Sequence, residues 1–444
     1  MKIILILLTL ILLLTSCGLP EQTEFETTTA ETESDTEPVY ATTASEESPD
    51  AKVDKSKYPQ ITNLPALYID LDDNIMLGHI NKQDYVWGSY TLVGDDTITD
   101  IYEKPLEMKG RGNYSWSFPK KPYTLRLDKK ADILGLGAAK RWVLVTTYSD
   151  KTLMRNFLTM TLAYDIGAEF SPECRYVDLI VNGEYQGPYV LTEKIQIHEN
   201  RVDIDSSKYG LFEIEMEYRH SGNCHYCIIL PSGVHMMFID PDEDDTSKDE
   251  LDKKFIEYKS FMTTADIALT KGYDEYSKYI DVDSFIDWYI VNEFVKNYDS
   301  NFTTSCYCFI NNDGLLTMGP VWDYDTCYGN QIVETCVDPN GYHVRKAPWY
   351  TILRGDDTFN EMLYKRWTEL RNDGVFDDFV QSITDTAEYI SESEKLDRKI
   401  WPDALKSRDL RGKMSLFTYQ EELDYLINWV ERRITWLDTQ WYKN

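Results

Sequence analysis

From Tyr58 to about Pro231, apolar and polar positions alternate in short runs, the period-two pattern of strands with one buried face. Residues 66–70, 85–93, 123–127, 141–147 and 176–181 read as strands, and Asn182-Gly183 supplies the type I′ turn of a hairpin into 187–195. One helix interrupts them. Ser149-Asp150 can cap it, Leu153, Phe157, Met160, Leu162 and Ala163 recur at helical spacing, and Gly167 stops it. Beyond an acidic stretch at 240–245 the period lengthens. Asp283 heads a helix over 284–297, in which Phe285, Trp288, Tyr289, Asn292 and Val295 share one stripe. A hairpin over 307–321 turns at Asn312-Asp313-Gly314, and helices over 359–371, 376–394 and 419–441 close the chain. The pattern predicts an α+β fold of two lobes, mainly β over about 58–235 and mainly α over about 236–444, without internal repeats.

The first 57 residues carry no such pattern. Lys2 precedes an apolar run too short for a comfortable membrane span, which ends in Leu14-Thr15-Ser16-Cys17-Gly18. That ending resembles a bacterial lipobox, and the resemblance implies cleavage before Cys17, diacylation of its sulfur and tethering to the outer face of the membrane. Residues 21–50 hold ten acidic side chains and no Lys or Arg. So polar a segment cannot bury enough surface to offset its ordering entropy, and 18–57 is expected to be a disordered acidic spacer. A sharper alternative makes its Thr and Ser residues phosphate acceptors.

A net charge of −31 excludes a nucleic acid backbone as partner, because no basic surplus exists to displace counterions. Without Cys17, seven cysteines remain. Cys224-His-Tyr-Cys227 lacks the second CxxC or His pair of a zinc site, so local disulfides are the better reading, with Cys224–Cys227 and Cys327–Cys336 as candidates. An odd count leaves at least one free thiol.

Candidate chemistry lies in Gly319-Pro-Val-Trp-Asp-Tyr-Asp325. Two carboxylates two residues apart on an extended segment share a face and can reach one divalent cation, and Mg²⁺ suits such hard oxygen ligands. Asp299 lies just past a helix, near the start of the hairpin whose second strand delivers Asp323. A carboxylate beside a metal pair is what phosphoryl transfer requires, the first accepting the proton of the attacking hydroxyl. Across the chain, Lys109-Gly-Arg-Gly-Asn113 is a loop whose amides, freed by Gly110 and Gly112, can approach phosphate, with Lys120, Lys121 and Arg126 beyond it. The bland alternative gives Asp299 a turn to cap and Asp325 a salt bridge in the core.

Lys109-Gly-Arg-Gly-Asn113, Pro119-Lys-Lys-Pro-Tyr123, Lys140-Arg-Trp-Val-Leu144, Asp150-Lys-Thr-Leu-Met-Arg-Asn156, Asn182-Gly-Glu-Tyr-Gln-Gly187, Leu191-Thr-Glu-Lys194 and Pro320-Val-Trp-Asp-Tyr-Asp325 occur in an order that resembles the CotH family. That resemblance implies an atypical protein-kinase-like fold, with ATP and Mg²⁺ between the lobes and a protein Ser or Thr as acceptor. It makes Asp299 the catalytic carboxylate and Asp323, helped by Asp325, the metal ligand. Arg111, Lys121 and Arg126 become phosphate-facing cations, and Glu193 with Lys194 a hinge contact or a surface pair. One position departs from the kinase pattern: Thr304 stands where protein kinases carry a metal-binding Asn, which leaves Asn301 to take a second cation. Two other classes remain, a non-catalytic binding or scaffolding module at the cell surface and a glycoside hydrolase. The second suffers from carboxylates too close in sequence to flank a sugar ring.

Overall fold

The computed structural model describes residues 54–72, 75–94, 97–216, 224–241, 246–405 and 418–443. Cys17 and the acidic segment lie outside them. The last residues of the expected spacer do not: Asp54 accepts from the Ser56 amide and caps a 3₁₀ turn at Lys55–Lys57.

Seven strands close into a barrel: β1 (Ala66–Leu71), β2 (Val86–Val93), β3 (Ile101–Gly110), β4 (Tyr123–Asp132), β5 (Ala138–Val145), β6 (Cys174–Val181) and β7 (Glu184–Glu193). The spatial order β1-β2-β3-β4-β5-β7-β6 is closed by the parallel pairing of Ala66 with Asp178. Alternation puts Leu67, Ile69, Leu106, Leu125, Trp142, Leu179 and Leu191 inside, where they form a core of their own. Glu103, Lys104 and Pro105 break the alternation of β3 and hide it in the sequence. Pairing with β2 carries the strand through them across a register shift, and β4 joins from Leu106 on. The β6–β7 hairpin turns as expected, with φ of 51° at Asn182 and 79° at Gly183.

Between β5 and β6 runs α1 (Arg155–Ile166), which ends at Gly167 in the left-handed region. Asp150 starts it, accepting from the Arg155 amide at 2.6 Å. A second sheet follows, from β8 (Leu211–Ile214), β9 (Cys227–Ile229), β10 (His235–Asp240), β11 (Cys306–Ile310) and β12 (Leu316–Met318), in the order β12-β11-β8-β10-β9. Its strands come from both sides of the acidic stretch.

The helices are α2 (Lys248–Leu269), α3 (Tyr273–Tyr276), α4 (Val282–Val295), α5 (Glu334–Val337), α6 (Pro348–Leu353), α7 (Asp357–Asn372), α8 (Val375–Tyr389), α9 (Ser391–Ile400) and α10 (Tyr419–Trp441). The single helix expected over 376–394 is two, divided at Ile390. The division lets α9 turn onto the barrel, where Asp397 meets Lys120 at 2.7 Å in a fully buried pair. The helices and the second sheet share a second core, joined by Val143, Tyr176 and Val190 from the outside of the barrel. No helix among the described residues is long and apolar enough to cross a membrane. Cys224 and Cys227 form a disulfide, whereas Cys327 and Cys336, the other expected pair, are separate buried thiols.

Candidate functional site

The segment after β12 is not the extended strand that its spacing suggested. Asp323 has φ of 67°, a left-handed conformation that costs a non-glycine residue about 1 kcal/mol or more and persists only where neighbours impose it. The neighbours are identifiable. The Tyr324 amide donates to Asn156 Oδ1 at 2.7 Å and its hydroxyl to Asn292 Oδ1 at 3.1 Å. Asn297 Nδ2 donates to the Asp323 carbonyl at 3.0 Å, Arg155 Nε to the Cys327 carbonyl at 3.1 Å, and Asn330 Nδ2 to the Asp325 carbonyl at 2.6 Å. The start of α1 thus grips the acidic segment through Arg155 and Asn156. Ser149, just ahead of them, donates its hydroxyl to Asp325 Oδ2 at 2.6 Å.

Asp325 is drawn out of solvent beside Asp323, and burial followed by the Asp323 charge pushes its carboxyl above the usual range, against the pull of Ser149 and Arg155. Two carboxylates so close that the charge of Asp323 raises the proton affinity of Asp325 form a donor set suited to a cation. Among the described residues no group of three or more His, Cys, Asp or Glu is placed to hold a metal. Mg²⁺ remains compatible, because it uses one or two carboxylates and keeps water and phosphate oxygens for the rest.

Asp299 lies in a 3₁₀ turn at Tyr298–Ser300, half-buried. Two asparagines stitch that turn to the acidic segment. Asn292, on α4, accepts from Ser300 Oγ at 2.5 Å as well as from Tyr324. Asn297 binds the Asp323 carbonyl through its amide and accepts from Thr326 Oγ1 at 2.9 Å. From below, the His343 ring approaches the Tyr298 carbonyl at 3.4 Å and Asn301 Nδ2 at 2.9 Å. The His343 amide in turn donates to Glu293 Oε1 at 2.7 Å, and Arg433 fixes that carboxylate at 2.8 Å with both side chains fully buried. Of ten non-glycine residues with positive φ among the described residues, five fall between Lys296 and Tyr328: Lys296, Phe302, Ser305, Asp323 and Tyr328. Strain of this kind concentrates where a geometry is imposed.

A cleft of about 220 Å³ separates the barrel from the second sheet, lined by Arg111, Thr124, Val143 and Lys194 on one side and by Glu213, Tyr307 and Trp322 on the other. Arg111 stacks over the Trp322 ring at 5.2 Å. Burial lowers the proton affinity of its guanidinium, and Asp323, then Tyr307 and Glu213, offset only part of that. Glu213 is pushed up to about 7 by burial and by Glu215, although the Ser305 amide holds it at 3.1 Å.

The remaining expected residues lie elsewhere. Lys121 donates to the carbonyls of Trp116 and Phe118 at 2.7 and 3.2 Å and covers the Trp116 ring, which braces the glycine loop. The amides of Gly110 and Arg111 are taken by the carbonyls of Asn81 and Pro122. A Cβ on Gly110 would come within 2.2 Å of Trp116, so this glycine admits a ring rather than a phosphate. Arg126 pairs with Glu107 and stacks over Tyr85. Glu193 ends β7 and Lys194 follows it. Lys194 lines the cleft, and Glu193, pushed up to about 7 by burial, pairs with Arg201 in a different hollow. Asn301 is held against His343.

Glu213, Tyr307, Trp322, Ser149 and the supporting asparagines were not picked out by sequence spacing. Glu213 alone carried a signal, a single acid inside the short apolar run Leu211-Phe-Glu-Ile214.

A seven-stranded barrel packed against a mainly helical half, with a cleft lined by Arg111 between the barrel and the second sheet, gives the chain an α+β architecture. The family described as CotH kinase protein matches residues 108–437, and the chain belongs to the CotH family. Inner spore coat protein H of Bacillus subtilis (strain 168) is 24% identical over 239 residues, covering 51% of this chain. The match spans 60% of that relative's length.

Proposed function

We propose that the protein is an exported protein kinase that transfers the γ-phosphoryl group of ATP to a Ser or Thr hydroxyl, within an atypical two-lobed kinase-like fold. The observation that supports this reading is the placement of the acidic segment, held by Asn156 and Asn297 directly after Trp322, whose ring lies in the cleft under Arg111. Asp299 accepts the proton of the acceptor hydroxyl as its oxygen bonds to phosphorus, and ADP carries the displaced charge away. Asp323 and Asp325 are the residues that would hold Mg²⁺, which when bound offsets charge on the phosphate oxygens. Arg111 faces those oxygens, and the Asn292 and Asn297 bridges keep Asp299 in register with the metal pair. The spore coat protein among its relatives supports a surface location, and Cys17 supplies a lipid anchor there.

The full chain, incubated with labelled ATP, Mg²⁺ and a Ser-rich acceptor protein, transfers label, and Asp299→Ala lowers the rate on the order of a hundredfold or more. Equal rates in the two proteins contradict the role given to Asp299. A second reading has one observation in its favour: at about 220 Å³ the cleft is smaller than the roughly 300–1,000 Å³ of most ligand pockets. On that reading the protein is a non-catalytic surface module. Binding of a partner protein with no response to nucleotide would favour it.

A further inference from the structure

Cys174, Cys306, Cys308, Cys327 and Cys336 are buried thiols, and burial pushes Cys336 up to about 11, far from a reactive thiolate. Cys224 and Cys227 differ in every respect. They are joined, half-buried, and placed at the head of β9, an edge strand of the second sheet. We propose that Cys224–Cys227 is a reversible thiol–disulfide exchange site whose substrate is a dithiol.

Three observations carry the proposal. The turn between the cysteines keeps its shape without the sulfur bond: the Tyr226 carbonyl accepts from the Phe238 amide at 3.0 Å, and its hydroxyl donates to Asp252 Oδ1 at 3.2 Å. The Tyr226 ring packs on Phe255 at 5.4 Å, and Cys227 pairs with Met237 in the sheet. Second, the bond joins residues only three apart, so it removes little freedom from the unfolded chain and is a poor staple for the fold. Third, His225 sits inside the ring with its side chain 64% exposed and its Nε2 3.4 Å from Asp252 Oδ1. An exposed imidazole beside the pair can hand on the proton that the leaving sulfur takes up when the bond opens.

The step balances without a metal or a nucleotide. A thiolate of the incoming dithiol attacks one sulfur of the pair, forms a mixed disulfide and expels the other cysteine as a thiolate, which takes up a proton. The second thiol of the reagent then closes on the first, releases the remaining cysteine and leaves as a cyclic or protein disulfide. Two electrons and two protons pass to the chain.

The test treats the oxidised full chain with dithiothreitol, with thioredoxin as a protein dithiol, or with glutathione as a monothiol, then alkylates it and maps the modified peptides. The proposal expects Cys224 and Cys227 to be alkylated together with either dithiol, while the five buried thiols stay unmodified and the far-ultraviolet spectrum is unchanged. Cys224→Ser, whose Cys227 has first been joined to glutathione by oxidised glutathione, should release that glutathione to either dithiol, and His225→Ala should exchange several-fold more slowly at an unchanged melting temperature. Labelling of all seven thiols at one rate would show that reduction needs unfolding, and it overturns the proposal. So does a pair that stays oxidised under every reagent. None of these readouts involves ATP, so the outcome stands apart from that of the kinase reading.

Discussion

The barrel and the half that faces it handle charge in opposite ways. On the barrel side most cations are already matched: Lys120 with Asp397, Lys121 with two carbonyls, Arg126 with Glu107. On the other side acids are crowded together, with Asp325 and Glu213 both pushed up by burial and by neighbouring carboxylates. Pairing makes the barrel a rigid platform. Crowding leaves the second half with an electrostatic cost that a cation would relieve, which is the physical basis of the proposed metal site.

The comparison can be broken most severely where each region is anchored. Arg433→Met leaves Glu293 buried without its cation and should cost about 3–5 kcal/mol of stability, measured by denaturant unfolding. Lys120→Met should cost a similar amount, because Asp397 is equally enclosed. A smaller effect is expected at the stitch between turn and acidic segment. Asn297→Ala removes the bonds to Asp323 and Thr326 and should lower turnover about tenfold to a hundredfold through misplacement of Asp299, with nucleotide affinity little changed.

These particulars show what could be read in the chain beforehand. The turn at Asn182-Gly183, the stop at Gly167 and the run of α10 follow from local chemistry, and all were legible. So was the family, from motifs in order. The acidic pair was singled out for a reason that fails. Asp323 and Asp325 do not share a strand face, and they meet because a left-handed residue is held by Asn156, Asn292 and Asn297 from two other elements. Long-range hydrogen bonds of this kind leave no periodic trace. Lys121 and Arg126 looked like phosphate ligands because a sequence shows charge and hides the partner that consumes it.

That last point gives a finer test. Arg111→Gln should weaken nucleotide binding about tenfold, as expected for losing one charge-assisted contact, whereas Lys121→Gln and Arg126→Gln should change it less than about twofold. Equal losses at all three positions would erase the contrast between the matched and the facing cations. The smallest effect concerns pH. Glu213 holds its proton up to about 7 in the folded chain, so the folded state binds protons that the unfolded chain has released. Stability therefore falls as pH rises from the ordinary carboxylate range to about 7 and is level above it. Glu213→Gln should flatten that slope by on the order of 1 kcal/mol, measured as melting temperature against pH.

The most direct test is calorimetric titration of the full chain with ATP, with and without Mg²⁺, beside the same titration of Asp323→Ala. The account predicts saturable binding that requires Mg²⁺ and disappears in the variant. Binding that is indifferent to Mg²⁺, or that survives the loss of Asp323, would contradict it.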